Sequence, residues 1–176
     1  ATHPGTTAVG FDDVRLALRT KDDDLAEAIL TALHEGGHGL YDQGFAAKDR
    51  GTLLAQAPSM GLHECQARLW ENHVGRALEF WTFFFPKMRA TLGDSVMGLD
   101  AEKFYQATNR VAPTLTRASA DELSYHLHIL LRYELETALI SGDLAVKDLP
   151  AAWNEKSKTL IGATPATDRE GVLQDG

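Results

Sequence analysis

The sequence has 176 residues, 44% hydrophobic and 24% charged, the profile of one soluble globular domain with a single core. A net charge of −8 excludes a nucleic-acid surface built on Lys and Arg, and no apolar run is long enough to cross a bilayer. Cys65 is the only cysteine, which excludes an internal disulfide and a thiolate zinc site, and a cytoplasmic location fits. The chain opens Ala1-Thr2-His3-Pro4, without an initiator Met or a signal-peptide pattern, and a piece clipped from a longer chain is expected.

Taken in chain order, Val9 to Arg19 carries Phe11, Val14, Leu16 and Leu18 in rough alternation and predicts a short strand. Asp22-Asp23-Asp24 then suits a helix N-terminus through capping and the macrodipole. Leu25, Ile29, Ala32, Leu33, Gly36 and Leu40 follow at helical spacing, with Gly44 as the stop. A loop around Pro58 and Gly61 precedes a second long helix marked by Leu62, Cys65, Leu69, Val74, Leu78 and Trp81, expected to end near Pro86. A weaker helix covers Ala101 to about Asn109. Ser119 and Glu122 form an S-x-x-E capping box ahead of a fourth helix ending at Gly142, and a fifth runs from Asp148-Pro150 to Leu160. The tail after Gly162 reads as irregular, and the predicted class is mainly α with little or no β-sheet.

The chemistry starts inside the first helix, at His34-Glu35-Gly36-Gly37-His38. An H-E-x-x-H places two imidazoles on one helix face, roughly 5–6 Å apart at Cβ, so that two nitrogens reach one ion. Glu35 lies beside them and reaches a water on the metal rather than the metal itself. Gly36, Gly37 and Gly39 each cost about 1 kcal/mol relative to Ala in a helix interior. Packing alone does not select three such residues in four positions, and room for substrate or close approach of another backbone accounts for them. A catalytic zinc needs a third protein ligand, and His63-Glu64 at the start of the second helix offers it; spacing alone leaves the choice between His63 and Glu64 open. Glu64 and Arg68 stand at i,i+4 on this charged face. On the fourth helix Tyr125, His128 and Arg132 fall on one face, polar enough to line a cleft.

Six stretches in order resemble the thermostable-carboxypeptidase (Taq carboxypeptidase) family. They are T-H-P at Thr2 to Pro4, D-V-R at Asp13 to Arg15, H-E-G-G-H-G-L-Y at His34 to Tyr41, and G-L-H-E-C-Q-A-R-L-W-E-N-H-V-G-R at Gly61 to Arg76. The others are T-R-A-S-A-D-E-L-S-Y-H-L-H-I at Thr116 to Ile129 and G-V-L-Q-D at Gly171 to Asp175. The resemblance implies a helical zincin core, with the active-site helix carrying H-E-x-x-H and a second helix supplying a Glu ligand. It implies Zn2+, with Co2+ as a substitute, on His34, His38 and Glu64, and Glu35 as general base. It further implies a metallocarboxypeptidase acting on peptides, with Arg117, Tyr125, His63 and His3 meeting substrate, and homodimerisation. Residues 1–176 correspond to a partial catalytic core, the family's N-terminal helical region and C-terminal end being absent. No nucleic-acid or membrane partner is expected.

The pattern departs from the family at three places. His3-Pro4-Gly5 lacks an aromatic wall, Asp13 to Ala17 lacks a hydroxyl, and Cys65 stands where Ser is usual, with a small apolar packing role expected of it. A zinc endopeptidase or oligopeptidase and an inactive metal-binding fragment are the alternative readings of the same residues.

Overall fold

The computed structural model describes residues 3–21 and 24–174; Thr2, Asp22, Asp23 and Asp175 of the stretches above lie outside them. The chain divides into two compact units, Ala1–Thr108 and Asn109–Gly176.

The first unit opens on a hairpin rather than on one strand. β1 (Gly5–Gly10) and β2 (Asp13–Ala17) pair antiparallel, Thr6 opposite Leu16 and Ala8 opposite Val14, with a bulge between Ala8 and Gly10. Phe11, read as a strand residue, sits in the turn beside Asp12, which Arg50 holds through two bonds of 2.8 and 2.7 Å. Most of both strands is exposed, so the alternation in the sequence does not mark a buried face.

Helix α1 (Leu25–Gln43) starts where expected. Asp24 Oδ1 accepts the Glu27 N–H at 2.9 Å, satisfying one of the orphan donors of the first turn, and Gly44 closes the helix. The second predicted helix is in fact three pieces. α2 (Met60–Arg68) is capped by Ser59, whose Oγ accepts from Leu62 N at 3.1 Å. A wide π-turn covers Leu69–Val74, with Gly75 N bonded to Trp70 O at 2.8 Å. α3 (Leu78–Leu92) then carries Pro86 inside it instead of stopping there. Trp81 and Phe85 on α3 and Phe104 on α4 (Ala101–Thr108) form the buried aromatic cluster of this unit, against Ile29 and Leu25 of α1. Burying a side chain of that size contributes about 1.5–3 kcal/mol, so two of them offset the roughly 3 kcal/mol that an interior proline costs.

The second unit is a pair of helices, α5 (Glu122–Ser141) and α6 (Leu149–Leu160), with Leu131, Leu135 and Trp153 buried between them. The capping box is displaced from its expected position. Ser119 belongs to a short 3-10 turn, and Asp121 caps α5 instead, its Oδ1 accepting from Leu123 N at 3.0 Å and Ser124 N at 2.9 Å. A carboxylate two residues nearer the helix reaches those N–H groups directly. Gly142 ends α5 at φ 83°, a left-handed conformation that favours glycine. Among the described residues the hairpin is the only sheet, so the unit cores are helical, and no helix is long and apolar enough to cross a membrane.

Candidate metal centre

The site is set by how closely α1 and α2 cross. Gly37 faces α2, and a Cβ there would lie 2.7 Å from Ala67 Cα, a residue with 0% exposure. Gly39 faces the hairpin, where a Cβ would meet Val14 Cγ1 at 3.2 Å, while Gly36 faces open space. Close backbone approach therefore explains one glycine, hairpin packing a second, and neither explains the third.

With the helices that close, three donor atoms converge. Glu64 Oε2 lies 3.4 Å from His38 Nε2 and 3.7 Å from His34 Nε2, and ligand atoms of the three residues lie within 4.8 Å of one another. Ligands placed about 2.0–2.1 Å from one tetrahedral ion stand roughly 3.3–3.4 Å apart, which the separations of Glu64 from the two imidazoles approach, so the donor set suits a divalent metal.

The far side of each imidazole is also engaged. His34 Nδ1 is 2.8 Å from Glu71 Oε2, a carboxylate that can only accept, so Nδ1 carries the proton and Nε2 keeps its lone pair. His38 Nδ1 is 2.5 Å from His63 Nδ1, and His63 Nε2 is 3.0 Å from Asp42 Oδ1. Asp42 again accepts, which protonates His63 at Nε2 and makes its Nδ1 the acceptor for His38 Nδ1–H. Both chains of bonds leave the two Nε2 atoms bare toward Glu64. Burial pushes the His38 pKa down, and the charges of His34 and His63 push the same way, against a partial offset from Glu64 and Glu35. The neutral form that ligates a metal is thereby favoured. Burial pushes the Glu71 carboxyl up, but the His34 hydrogen bond and the charges of Arg68, His34 and Arg76 outweigh it and hold it below the usual range.

Glu35 is outside the donor trio and only 6% exposed. Thr6 Oγ1 lies 2.6 Å from Glu35 Oε2 and 2.9 Å from Glu35 O, so the hairpin holds both the side chain and the backbone of that residue. Arg68 donates through Nε to Glu64 Oε1 at 3.0 Å and through one terminal nitrogen to Glu71 Oε2 at 2.9 Å.

The remaining predicted residues fall as follows. His63 stands behind His38 rather than among the three donors, and His3 is exposed just ahead of β1, its Nδ1 against the Pro4 carbonyl. Arg117 and Tyr125 belong to the second unit and meet each other there, Arg117 donating to the Tyr125 hydroxyl at 3.1 Å. The α5 face carrying Tyr125, His128 and Arg132 is not an open cleft wall throughout, and Arg117 lies ahead of that helix in the turn Arg117–Ser119. His128 is 2% exposed with Nε2 2.9 Å from Thr114 O, and Arg132 donates to Gln174 Oε1 at 3.0 Å and lies over the Trp153 ring. Cys65 is exposed, not packed; Ala67 takes the buried position on α2 because it is the residue aimed at Gly37. Thr6 and Asp42 escape the sequence reading, and Glu71 is legible there only as one of the interleaved charges of the second helix, at i,i+4 from Ala67. Glu71 alone had a local signal, two turns beyond Glu64 on the same side of a regular helix.

In a mainly helical chain, a helix-borne H-E-x-x-H is joined by a carboxylate from a following helix, the donor arrangement of helical metallopeptidases. The chain belongs to the Carboxypeptidase Taq (M32) metallopeptidase family, whose model matches residues 1–176. It is 47% identical over 176 residues to thermostable carboxypeptidase 1 of Thermus thermophilus, covering 98% of this chain and 34% of that protein. Against carboxypeptidase 1 of Bacillus subtilis it is 40% identical over 173 residues, again covering 34% of the relative. The crystal structure of the M32 carboxypeptidase from Deinococcus radiodurans superposes with a TM-score of 0.95 at 43% identity, over 98% of this chain and 35% of that one. The chain thus spans about a third of the length of the relatives it matches.

Proposed function

We propose that this chain carries the metal centre of a zinc-dependent carboxypeptidase, which releases C-terminal amino acids from peptides. The observation behind the reading is the convergence of His34, His38 and Glu64, with Glu35 buried beside them and held from the hairpin. Two imidazoles and one carboxylate are the donor set of catalytic zinc sites, which keep one position open. When bound, zinc supplies a Lewis acid and lowers the pKa of a water toward about 7.

The protein's own residues do the rest. Glu35 takes the proton of the attacking water and returns it to the leaving amine, for which a carboxylate fixed by a short hydrogen bond is suited. Arg117 recognises the free C-terminal carboxylate through paired N–H donors, the contact that distinguishes an exopeptidase. Tyr125, whose hydroxyl Arg117 already holds, offers a donor to the developing oxyanion. These are the roles that the resemblance at the matching motifs implies.

The test is zinc content together with amino-acid release from a peptide with a free C-terminus and from its amidated twin. One zinc per chain and release from the free peptide only, lost about a thousandfold or more in Glu35→Gln with zinc retained, is the expected result. Equal cleavage of the amidated peptide would make the protein an endopeptidase. Full activity in Glu35→Gln would remove that residue from the role, and an absence of metal would overturn the reading.

A further inference from the structure

The guanidinium of Arg68 touches two carboxylates with different duties. Its Nε holds Glu64 Oε1 at 3.0 Å, and the other oxygen of the same carboxylate, Oε2, is the one that faces His34 and His38 at 3.7 and 3.4 Å. A terminal nitrogen holds Glu71 Oε2 at 2.9 Å, and that oxygen is the one 2.8 Å from His34 Nδ1. Arg68 is therefore linked directly to Glu64 and through one atom to His34. Both carboxylates are reached because the donors of arginine lie in a planar fork; a lysine ammonium is a single point and cannot reproduce that spread. Glu64 needs such restraint, since its side chain is 45% exposed and long enough to take several rotamers or turn both oxygens inward.

We propose that Arg68 is a positioning residue of the metal centre. It reserves Glu64 Oε1 so that the glutamate offers a metal a single oxygen, and it ties the orientation of Glu64 to that of His34 through Glu71. This rests on the reading of His34, His38 and Glu64 as the metal ligands. Groups standing behind metal ligands are worth about 10–100-fold in metal affinity, which sets the expected size of the effect.

The experiment compares the whole chain with Arg68→Met, Arg68→Lys and Glu71→Gln. Zinc affinity is measured by competition with a chromophoric chelator, the visible spectrum is taken with Co2+ as the probe, and far-UV circular dichroism checks folding. Arg68→Met should bind zinc 10–100-fold more weakly. Its Co2+ bands should fall in intensity as the second oxygen of Glu64 closes on the ion and raises the coordination number. Arg68→Lys should recover only part of the affinity and keep the altered bands, and Glu71→Gln should weaken affinity with the bands unchanged. Arg68→Met with wild-type affinity and spectrum would overturn the proposal. Full recovery in Arg68→Lys would overturn it too, since any nearby positive charge would then suffice. Should Arg68→Met not fold, the lysine variant decides by the same two readouts. A wild-type chain that binds no zinc would overturn the ligand assignment and this role with it; a wild-type chain that binds zinc beside unaltered variants would overturn the Arg68 role alone.

Discussion

Gly37 of α1 and Ala67 of α2 meet backbone to backbone, so that the smallest possible side chain at position 37 would lie 2.7 Å from Ala67 Cα and 2.9 Å from Gln66 O. Neither neighbour is the flexible end of a side chain, and the helices must separate to admit a methyl group. Gly37→Ala is expected to destabilise the protein by about 1–3 kcal/mol, the overpacking term exceeding the gain of about 1 kcal/mol in helix propensity. Gly36→Ala, one residue away and facing open space, should stabilise by up to about 1 kcal/mol. Urea denaturation of the two variants should therefore give shifts of opposite sign; shifts of the same sign would remove the close approach as the reason for Gly37.

Thr6 reaches Glu35 from the hairpin with its hydroxyl 2.6 Å from the carboxylate. Thr6→Val keeps the shape and removes the donor. Misplacing a catalytic group by about 1 Å costs on the order of a hundredfold, so turnover of a free peptide should fall roughly tenfold to a hundredfold. Zinc content should not change, because Thr6 touches none of the three donors. Steady-state kinetics with metal analysis check this, and unchanged kcat would limit Thr6 to a packing role.

Asp121 makes the start of α5 sensitive to acid. Burial pushes its carboxyl up, but the bonds from Ser124 N–H and hydroxyl, Ala112 N–H and Leu123 N–H outweigh it and hold the pKa below the ordinary value. A carboxyl depressed in the folded state stabilises fully above its unfolded value of about 3.9, and that stability is lost as pH falls through the lower folded value. Asp121→Ala should thus cost about 0.5–2 kcal/mol at pH 7, and the gap between it and wild type should narrow toward pH 3. Denaturant titrations at the two pH values measure it. A gap that stays constant would mean the carboxylate's charge is not what stabilises the cap.

Gln174 joins three parts of the second unit. Its Oε1 accepts from Arg117 N and from Arg132, each at 3.0 Å, and its Nε2 donates to Leu115 O at 3.0 Å and Glu170 O at 3.1 Å. At about 1 kcal/mol per bond, less what water restores at the exposed ones, Gln174→Ala should cost about 2–3 kcal/mol. Since Arg117 is one of the groups it holds, KM for a free peptide should rise as well. Thermal unfolding and KM checked side by side would show whether the two effects travel together.

Much of this was written in local pattern. Asp24, the helical repeat and Gly44 announce α1, and the four-residue spacing of His34 and His38 announces its chemistry. The neighbours His63 and Glu64 could not be told apart by spacing, yet they take opposite tasks. Successive residues on a helix point about 100° apart, so Glu64 turns to the two Nε2 atoms while His63 turns to the far side of His38 and Asp42. Thr6 carried no signal, because 29 residues separate it from Glu35 and only the pairing of the hairpin with α1 brings them together. Pro86 carried a signal that misled. Its cost is real, but the aromatic cluster of Trp81, Phe85 and Phe104 depends on contacts that no local window contains.

The wide turn over Leu69–Val74 gives the centre one more property. A π-turn holds an extra residue per turn, and the chain beyond it is consequently out of phase with α2. Deleting one residue there would restore the ordinary i to i−4 bonding and change the direction of the residues inside the turn. Glu71, lying inside the turn, would lose its line to His34. The extra residue of the wide turn is therefore part of what gives Glu71 its direction toward His34.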